Sequence, residues 1–278
     1  MTNIEFSVLL WGGSFLAGLL GSLTGLGGGI IIVPFLTLVC GVNIRYAIGA
    51  SLISVIATSS GAASAYVREG YTNIRIGMFL EIATTIGALV GASIAAMLSP
   101  SIIAVVFGLV LLHSAYMSGR KLDDHVVSGP PDRWTVRLRL NGSYPTPSGA
   151  QSYQVQNVPA GFGLMSVAGV LSGLLGIGSG IVKVLAMDQA MHIPFKVSTT
   201  TSNFMIGVTA AASAGVYLAR GYIDPVVAMP VVVGVLPGSL IGARILVVVH
   251  TKILRRIFTI VVLVMALEMI YNGVTGRI

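Results

Sequence analysis

The stretch "GLGGGIIIVP", Gly25 to Pro34, decides the fold. Four of its first five residues are glycine, and apolar sequence flanks it on both sides. Each glycine costs a helix about 1 kcal/mol relative to alanine. The apolar run that follows covers ~18 Å as a helix, well short of the ~30 Å hydrocarbon core of a bilayer. Its glycine-rich start therefore lies deep in the membrane. Irregular backbone at that depth survives only inside protein or beside a water-filled cavity. Glycine supplies the unusual dihedrals and removes side-chain bulk. What remains is a set of N–H groups at a helix start, where the dipole adds partial positive charge and an anion is favoured. The competing reading is that these glycines only permit a turn or tight helix packing.

The composition places this stretch in lipid. The chain has 278 residues, 55% hydrophobic and 9% charged, with a mean hydropathy of +0.92. A soluble domain carries about 25% charged residues, so the chain is read as an all-α polytopic membrane protein. Thirty-five glycines suit helices that pack closely in lipid. The single cysteine, Cys40, excludes an internal disulfide framework and a cysteine-rich metal site. A net charge of +7 reflects basic loops on one membrane side rather than a nucleic-acid partner. The start, MTNIEF, has no basic residue, so no cleaved signal peptide is expected.

Ten apolar segments follow, near 4–24, 29–41, 46–67, 76–98 and 101–118, then 159–176, 180–192, 197–219, 225–249 and 253–272. Shifting the sequence by 151 positions superposes the two sets without a gap, with 20 identities over residues 17–93. Gly25, Gly27 and Gly29 fall on Gly176, Gly178 and Gly180. Ser51 falls on Ser202, Thr58 on Thr209, and Gly70-Tyr71 on Gly221-Tyr222. This is a gene duplication, an architecture common among transporters, whose sites lie between the repeats. The expected units are a first repeat, 1–118, a polar insert, 119–158, and a second repeat, 159–278.

Basic residues orient the repeats. If the first two segments of each half together return the chain to its starting side, the loops divide eleven Lys and Arg against three. If the short segment instead re-enters and leaves on one face, the division is nine against five. The first arrangement obeys the positive-inside rule better. It makes the repeats inverted, faces both termini outward and puts the insert in the cytoplasm. Within the insert, "RWTVRLRLNG" alternates Val136, Leu138 and Leu140 with Arg137 and Arg139 before an Asn141-Gly142 turn signal. A small β-hairpin is expected, with "QSYQVQNV" as the return strand.

The candidate anion site comprises Gly27, Gly28 and Gly29 with their duplicates Gly178, Ser179 and Gly180. Ser51, Thr200, Thr201, Ser202 and Asn203 would add hydrogen bonds. Lys183, inside an apolar segment, would add charge or pair with Asp188. Glu81, Asp188 and Glu268 are the candidates to carry a coupling proton. Arg244, near a segment end, would snorkel. Histidines 113, 125, 192 and 250 make no metal-ligand spacing, and no nucleophile–base grouping or Walker-type loop occurs. No cofactor or metal is expected, and an enzyme or an ATP-driven pump is disfavoured. "GALVG" (87–91) and "GSLIG" (238–242) suit internal helix packing or a homodimer contact.

At these residues the chain resembles the TauE/SafE sulfite exporter family. "GLGGGIIIVP", "GASL" (49–52) and the second-half run "GIGSGIVKVL…STTTSNFMIGVTAAASAGVYLARGYIDP" carry the resemblance, which covers nearly all the chain outside 119–158. It implies an inner-membrane secondary carrier for sulfite, organosulfonates or related sulfur anions. The family often has three glycines in both halves, whereas here the second reads Gly178-Ser179-Gly180, and Leu185 stands where a proline is expected. The competing classes are a passive anion channel and a membrane anion sensor.

Overall fold

The computed structural model describes residues 3–24, 28–68, 70–118, 132–146, 149–248 and 251–278. Gly27, positions 119–131 of the insert and the side chain of Arg244 lie outside that description. In the first half the helices are α1 (Asn3–Thr24), α2 (Gly29–Pro34), α3 (Ile44–Arg68), α4 (Ile74–Ala95) and α5 (Pro100–Ser118). The insert holds α6 (Arg133–Leu138) and strands β1 (Gly142–Thr146) and β2 (Gly149–Tyr153). The second half has α7 (Val158–Leu175), α8 (Gly180–Leu185), α9 (Phe195–Ala219), α10 (Pro225–Val248) and α11 (Thr251–Val274). Each of the ten apolar segments carries one helix. Among the described residues, four windows, in α4, α7, α9 and α10, are long and apolar enough to cross a membrane by length and composition.

The outward faces agree with lipid. On α4, Met78, Ile82, Ile86 and Val90 are exposed in one stripe, and Ile260, Val264, Leu267 and Tyr271 form another on α11. Apolar stripes of this kind mark contact with a membrane or a partner. The core runs through α2, the turn after it and α3, where Ile32, Val33, Leu36, Ile44, Ile48 and Leu52 are fully buried.

Glycines set the helix pairing and its direction. A Cβ on Gly169 or Gly173 of α7 would overlap the carbonyl of Thr84 or Ala88 of α4. A Cβ on Gly234 or Gly238 of α10 would overlap the carbonyl of Trp11 or Phe15 of α1. The register advances by four residues in the same sense on both partners, so α7 runs parallel to α4 and α1 runs parallel to α10. Gly87 and Gly91 also close on α7, and Gly238 on α1, so these glycines of "GALVG" and "GSLIG" pack inside the molecule.

Hydrogen bonds at the helix ends show that the halves are inverted. At the insert end, Asn73 Nδ2 donates to Tyr153 OH (2.7 Å), Arg75 Nη1 donates to Arg139 O (3.0 Å) and Gln156 N donates to Met191 O (3.1 Å). At the far end, Arg45 Nη2 donates to Leu98 O (2.9 Å), and Ser101 Oγ donates to Ile278 O (3.3 Å). So α4 and α9 start at the insert end, where α8 and its extension finish, and α3 and α5 start at the far end. The first and last residues of the α7–α8 pair meet at one end. That pair therefore returns the chain to its starting side, and equivalent helices of the two halves run in opposite senses. Arg75, Arg133, Arg137, Arg139 and Lys196 lie toward the insert end, and Arg45, Arg220 and Arg277 toward the other.

Both short helices end in a π-helical turn, Phe35–Val39 after α2 and Ala186–Ala190 after α8. Cys40 N bonds Phe35 O, and Met191 N bonds Ala186 O. Pro34 stands before the first and Leu185 before the second, so the missing proline does not change the backbone there. Packing, not the pyrrolidine ring, sets the π turn.

The hairpin exists, but not where the alternation in 133–140 puts it. Residues Arg133–Leu138 form a helix, and Arg139 ends it in the left-handed region (φ 51°). Thr135 Oγ1 donates to Val155 O (2.7 Å), and Leu140 is fully buried, so tertiary contacts override the period of two. Asn141 Oδ1 accepts the Val155 amide instead of making the turn. The strands pair from Gly142↔Tyr153 to Thr146↔Gly149.

Gly173→Ala is expected to destabilise the protein by about 1–3 kcal/mol through overpacking. Gly163→Ala on the same helix, where a Cβ meets nothing within 4 Å, is expected to be neutral or to stabilise by up to ~1 kcal/mol. Thermal unfolding of purified protein in detergent measures both.

Candidate functional site

The glycine-rich start of α2 meets the glycine-rich turn that leads from α7 into α8. A Cβ on Gly29 would lie 3.0 Å from Gly176 O, 2.8 Å from Ser51 Oγ and 3.0 Å from Val55 Cγ2. Ser51 Oγ, on α3, donates to Gly176 O at 2.8 Å. On the other side, Ser202 Oγ of α9 donates to Gly180 O at 3.3 Å. Both serines that the duplication pairs thus bond the approach to α8, from different sides. Ser51 reaches across to the opposite half, whereas Ser202 holds its own.

The turn into α8 is the more contorted one. Gly176 and Gly178 both have φ of 69°, and Ser179 has φ of 50°. A non-glycine residue in that region stores strain of about 1–3 kcal/mol. The Ser179 hydroxyl is buried and has no hydrogen-bond partner. In the first half, Gly28 is right-handed (φ −66°). Its carbonyl accepts from Ile31 and Ile32, and Ser179 O accepts from Lys183. Amides ahead of these bonds make up the open first turn of each helix. The contact at Gly29 is close, and no anion fits between Gly29 and Gly176 as they stand.

One turn into α8, Lys183 is fully buried. Its Nζ donates to Thr209 Oγ1 on α9 at 2.6 Å, and Thr209 Oγ1 donates to Glu81 Oε1 on α4 at 2.6 Å. Thr85 Oγ1 also donates to Glu81 Oε1 (3.2 Å), and Thr84 Oγ1 stands 3.4 Å from Thr209 Oγ1. Glu81 Oε2 is buried with no partner. A hydroxyl has one donor and two acceptor sites. Thr209 therefore takes a hydrogen bond from the cation and passes its own to the carboxylate. Three helices from both halves contribute, α8 and α9 from the second and α4 from the first.

The model of the family "Sulfite exporter TauE/SafE" matches residues 10–269. The chain belongs to the TauE/SafE sulfite exporter family. It is 29% identical over 266 residues to "Probable membrane transporter protein YunE" of Bacillus subtilis, covering 93% of this chain and 95% of that one. A "Probable membrane transporter protein" of Xylella fastidiosa is 26% identical over 277 residues, 98% of this chain and 97% of its own. YdhB of Bacillus subtilis, described in the same words, is 24% identical over 231 residues, 83% of this chain and 86% of its own. No solved structure matches. This TauE/SafE member is a multi-pass membrane transporter and not an enzyme.

The remaining candidate residues of this TauE/SafE member are distributed as follows. Thr200 Oγ1 donates to its own helix, at Lys196 O (3.0 Å) and Val197 O (3.1 Å). Thr201 Oγ1 accepts the Asn73 amide at 3.1 Å and so supports the start of α4. Asn203 is buried. Asp188 is buried in the π turn, while the hydrogen bond from Lys183 goes to Thr209. Glu268 is exposed on α11 and accepts from Asn272 Nδ2 (3.2 Å), away from the buried network. Thr209 and Thr84 were not among the sequence candidates. The pairing of Thr209 with Thr58 in the duplication was the one available signal for the first.

Removing one charge of a buried pair leaves the other uncompensated. Lys183→Met and Glu81→Leu are each expected to destabilise the protein by about 3–5 kcal/mol, and the double variant to recover most of that loss. Thermal unfolding of the three proteins checks the cycle, and simple addition of the two losses would show that the charges do not interact.

Proposed function

We propose that the chain is a secondary transporter that exports sulfite, an organosulfonate or a related small sulfur-containing anion by alternating access. The observation that supports this reading is the meeting of the glycine-rich start of α2 with the glycine-rich turn into α8, one from each inverted half, with a buried lysine one turn into α8. First-turn amides and the helix dipole favour negative charge, and lysine adds a full positive charge with three donors. The Ser179 hydroxyl and the amides of 27–29 and 178–180 would surround the anion, with Ser51, Ser202 and Asn203 beside them. Gly29 and Gly176 are in contact here, so the anion enters only when the halves move apart, as rocking between inverted repeats requires.

Glu81 is the group we assign to proton coupling. It faces Lys183 through Thr209, and one of its oxygens is unpartnered. An arriving anion would compete with Glu81 for the lysine, which links anion occupancy to the carboxylate's proton. The positive-inside rule puts the basic insert end in the cytoplasm and both chain ends outside, in an inner membrane.

Proteoliposomes loaded with sulfite test the reading. Saturable flux that trans sulfite accelerates is expected, whereas flux that rises linearly with concentration would indicate a pore. Lys183→Ala is expected to weaken the apparent sulfite affinity by about tenfold or more. Glu81→Gln is expected to retain counterflow and lose the response to an imposed pH gradient. Wild-type flux indifferent to that gradient would remove the coupling.

A further inference from the structure

The duplication pairs Arg45 with Lys196 and Gly70-Tyr71 with Gly221-Tyr222, and the site above uses none of them. The structure brings them together crosswise. The Arg45 guanidinium lies over the Tyr222 ring, 5.6 Å from its centroid, and the Lys196 ammonium lies over the Tyr71 ring at 4.0 Å. Each contact joins the first turn of α3 or α9 to the loop that follows the equivalent helix of the other half. Gly70 (φ 76°) and Gly221 (φ 72°) turn the chain in the left-handed region just before each tyrosine. One contact sits at the far end of the molecule and the other at the insert end. A cation within about 6 Å of an aromatic centroid is attracted to the ring face.

We propose that these two cation–tyrosine contacts are the alternating gates of the transporter, one at each membrane face. The inference rests on the alternating-access reading. In a protein of two inverted repeats, opening one face is the mirror of opening the other. A gate on one face must therefore have a duplicated counterpart on the opposite face, built from equivalent residues of exchanged halves. These two contacts meet that requirement. Both are made at once here, as the tight packing at Gly29 also requires.

The far-end gate is the more elaborate. Arg45 also holds Ala96 O and Leu98 O, which ties the end of α4 to the start of α3. Tyr46 and Tyr217 pack edge-on against Tyr222. Arg45, Arg220, Tyr217 and Tyr222 line a crevice that is closed to a water-sized molecule here, and Arg45 Nε is buried there with no hydrogen-bond partner. Once the ring and the guanidinium part, Arg45 and Arg220 are free to receive a small oxyanion leaving the centre.

A reporter thiol at the centre reads the gates separately. Cys40→Ala removes the native cysteine and Ser51→Cys supplies the reporter, labelled by a membrane-impermeant thiol reagent from each side of oriented vesicles. Tyr222→Leu is expected to raise labelling from one face by roughly tenfold, and Tyr71→Leu from the opposite face. Tyr71→Phe keeps the ring and is expected to label like the parent, and Tyr222→Phe, which keeps the ring but loses the hydrogen bond that Arg45 Nη1 donates to the Tyr222 hydroxyl (3.5 Å), is expected to label well below Tyr222→Leu, which separates gating from misfolding. Equal increases on both faces, or Phe variants that behave like the Leu variants, would overturn the gates. Counterflow of sulfite by the wild-type protein is measured alongside. Side-specific labelling without counterflow would discard the carrier and leave the gates standing.

Discussion

The contact between Gly29 and the Gly176 carbonyl, closed by the Ser51 hydroxyl, is the constraint around which the molecule is arranged. Lipid supplies no hydrophobic drive between helices, so close packing and hydrogen bonds must hold them. A side chain at Gly29 would collide with Ser51, Val55 and the opposite half. The short helices α2 and α8 exist because the chain must turn within the bilayer to deliver such a backbone to that point. Their π turns, closed by Cys40 N and Met191 N, then carry the chain to α3 and α9. Those long helices flank the joint from both sides and supply Ser51 and Ser202 to it.

Much of this was legible because hydropathy and duplication are strong signals. Ten of the eleven described helices fall on the ten apolar segments, and the charge division in the loops favours the inverted arrangement that the end-to-end hydrogen bonds display. Paired identities such as Gly70-Tyr71 and Gly221-Tyr222 were visible, but their crosswise contacts were not, because a repeat shows which residues are equivalent and not which ones touch. The partner of Lys183 was hidden for the same reason. Thr209 lies 26 positions away and Glu81 lies 128 positions from Thr209, on separate helices. Asp188 was the neighbour in sequence, and nothing local favoured the distant pair.

The polar run "STTTSN" shows how composition overstates a site. Hydroxyls inside a membrane helix readily bond a carbonyl one turn back. Thr200 does so, Ser198 Oγ reaches Ile193 O, and Thr201 supports the Asn73 amide. Ser202 contacts a short helix, at Gly180 O. The hairpin teaches a related lesson. Alternation over 133–140 is a valid strand pattern, but a six-residue stretch between Asp132 and a left-handed Arg139 is too short for pattern to outweigh contacts such as Thr135 to Val155.

The duplication also explains where the charges lie. Ile32 is the counterpart of Lys183, Val232 that of Glu81 and Thr58 that of Thr209. Thr58, without charged neighbours to bridge, bonds its own helix at Ser54 O and Val55 O. A lone buried lysine or a lone buried glutamate is costly in lipid, so the two persist as a pair or are absent as a pair. One side of the pseudo-symmetric centre has both, and the other has neither. The backbone is therefore nearly symmetric about the joint while its charge is not. Under the proposed rocking, opposite motions of the two halves would repack similar apolar surfaces, while the Lys183–Thr209–Glu81 chain has no counterpart to balance it. That chain joins helices of both halves, so separating them breaks a charged hydrogen bond on one side only. In the proposed cycle the two open forms would therefore differ in energy.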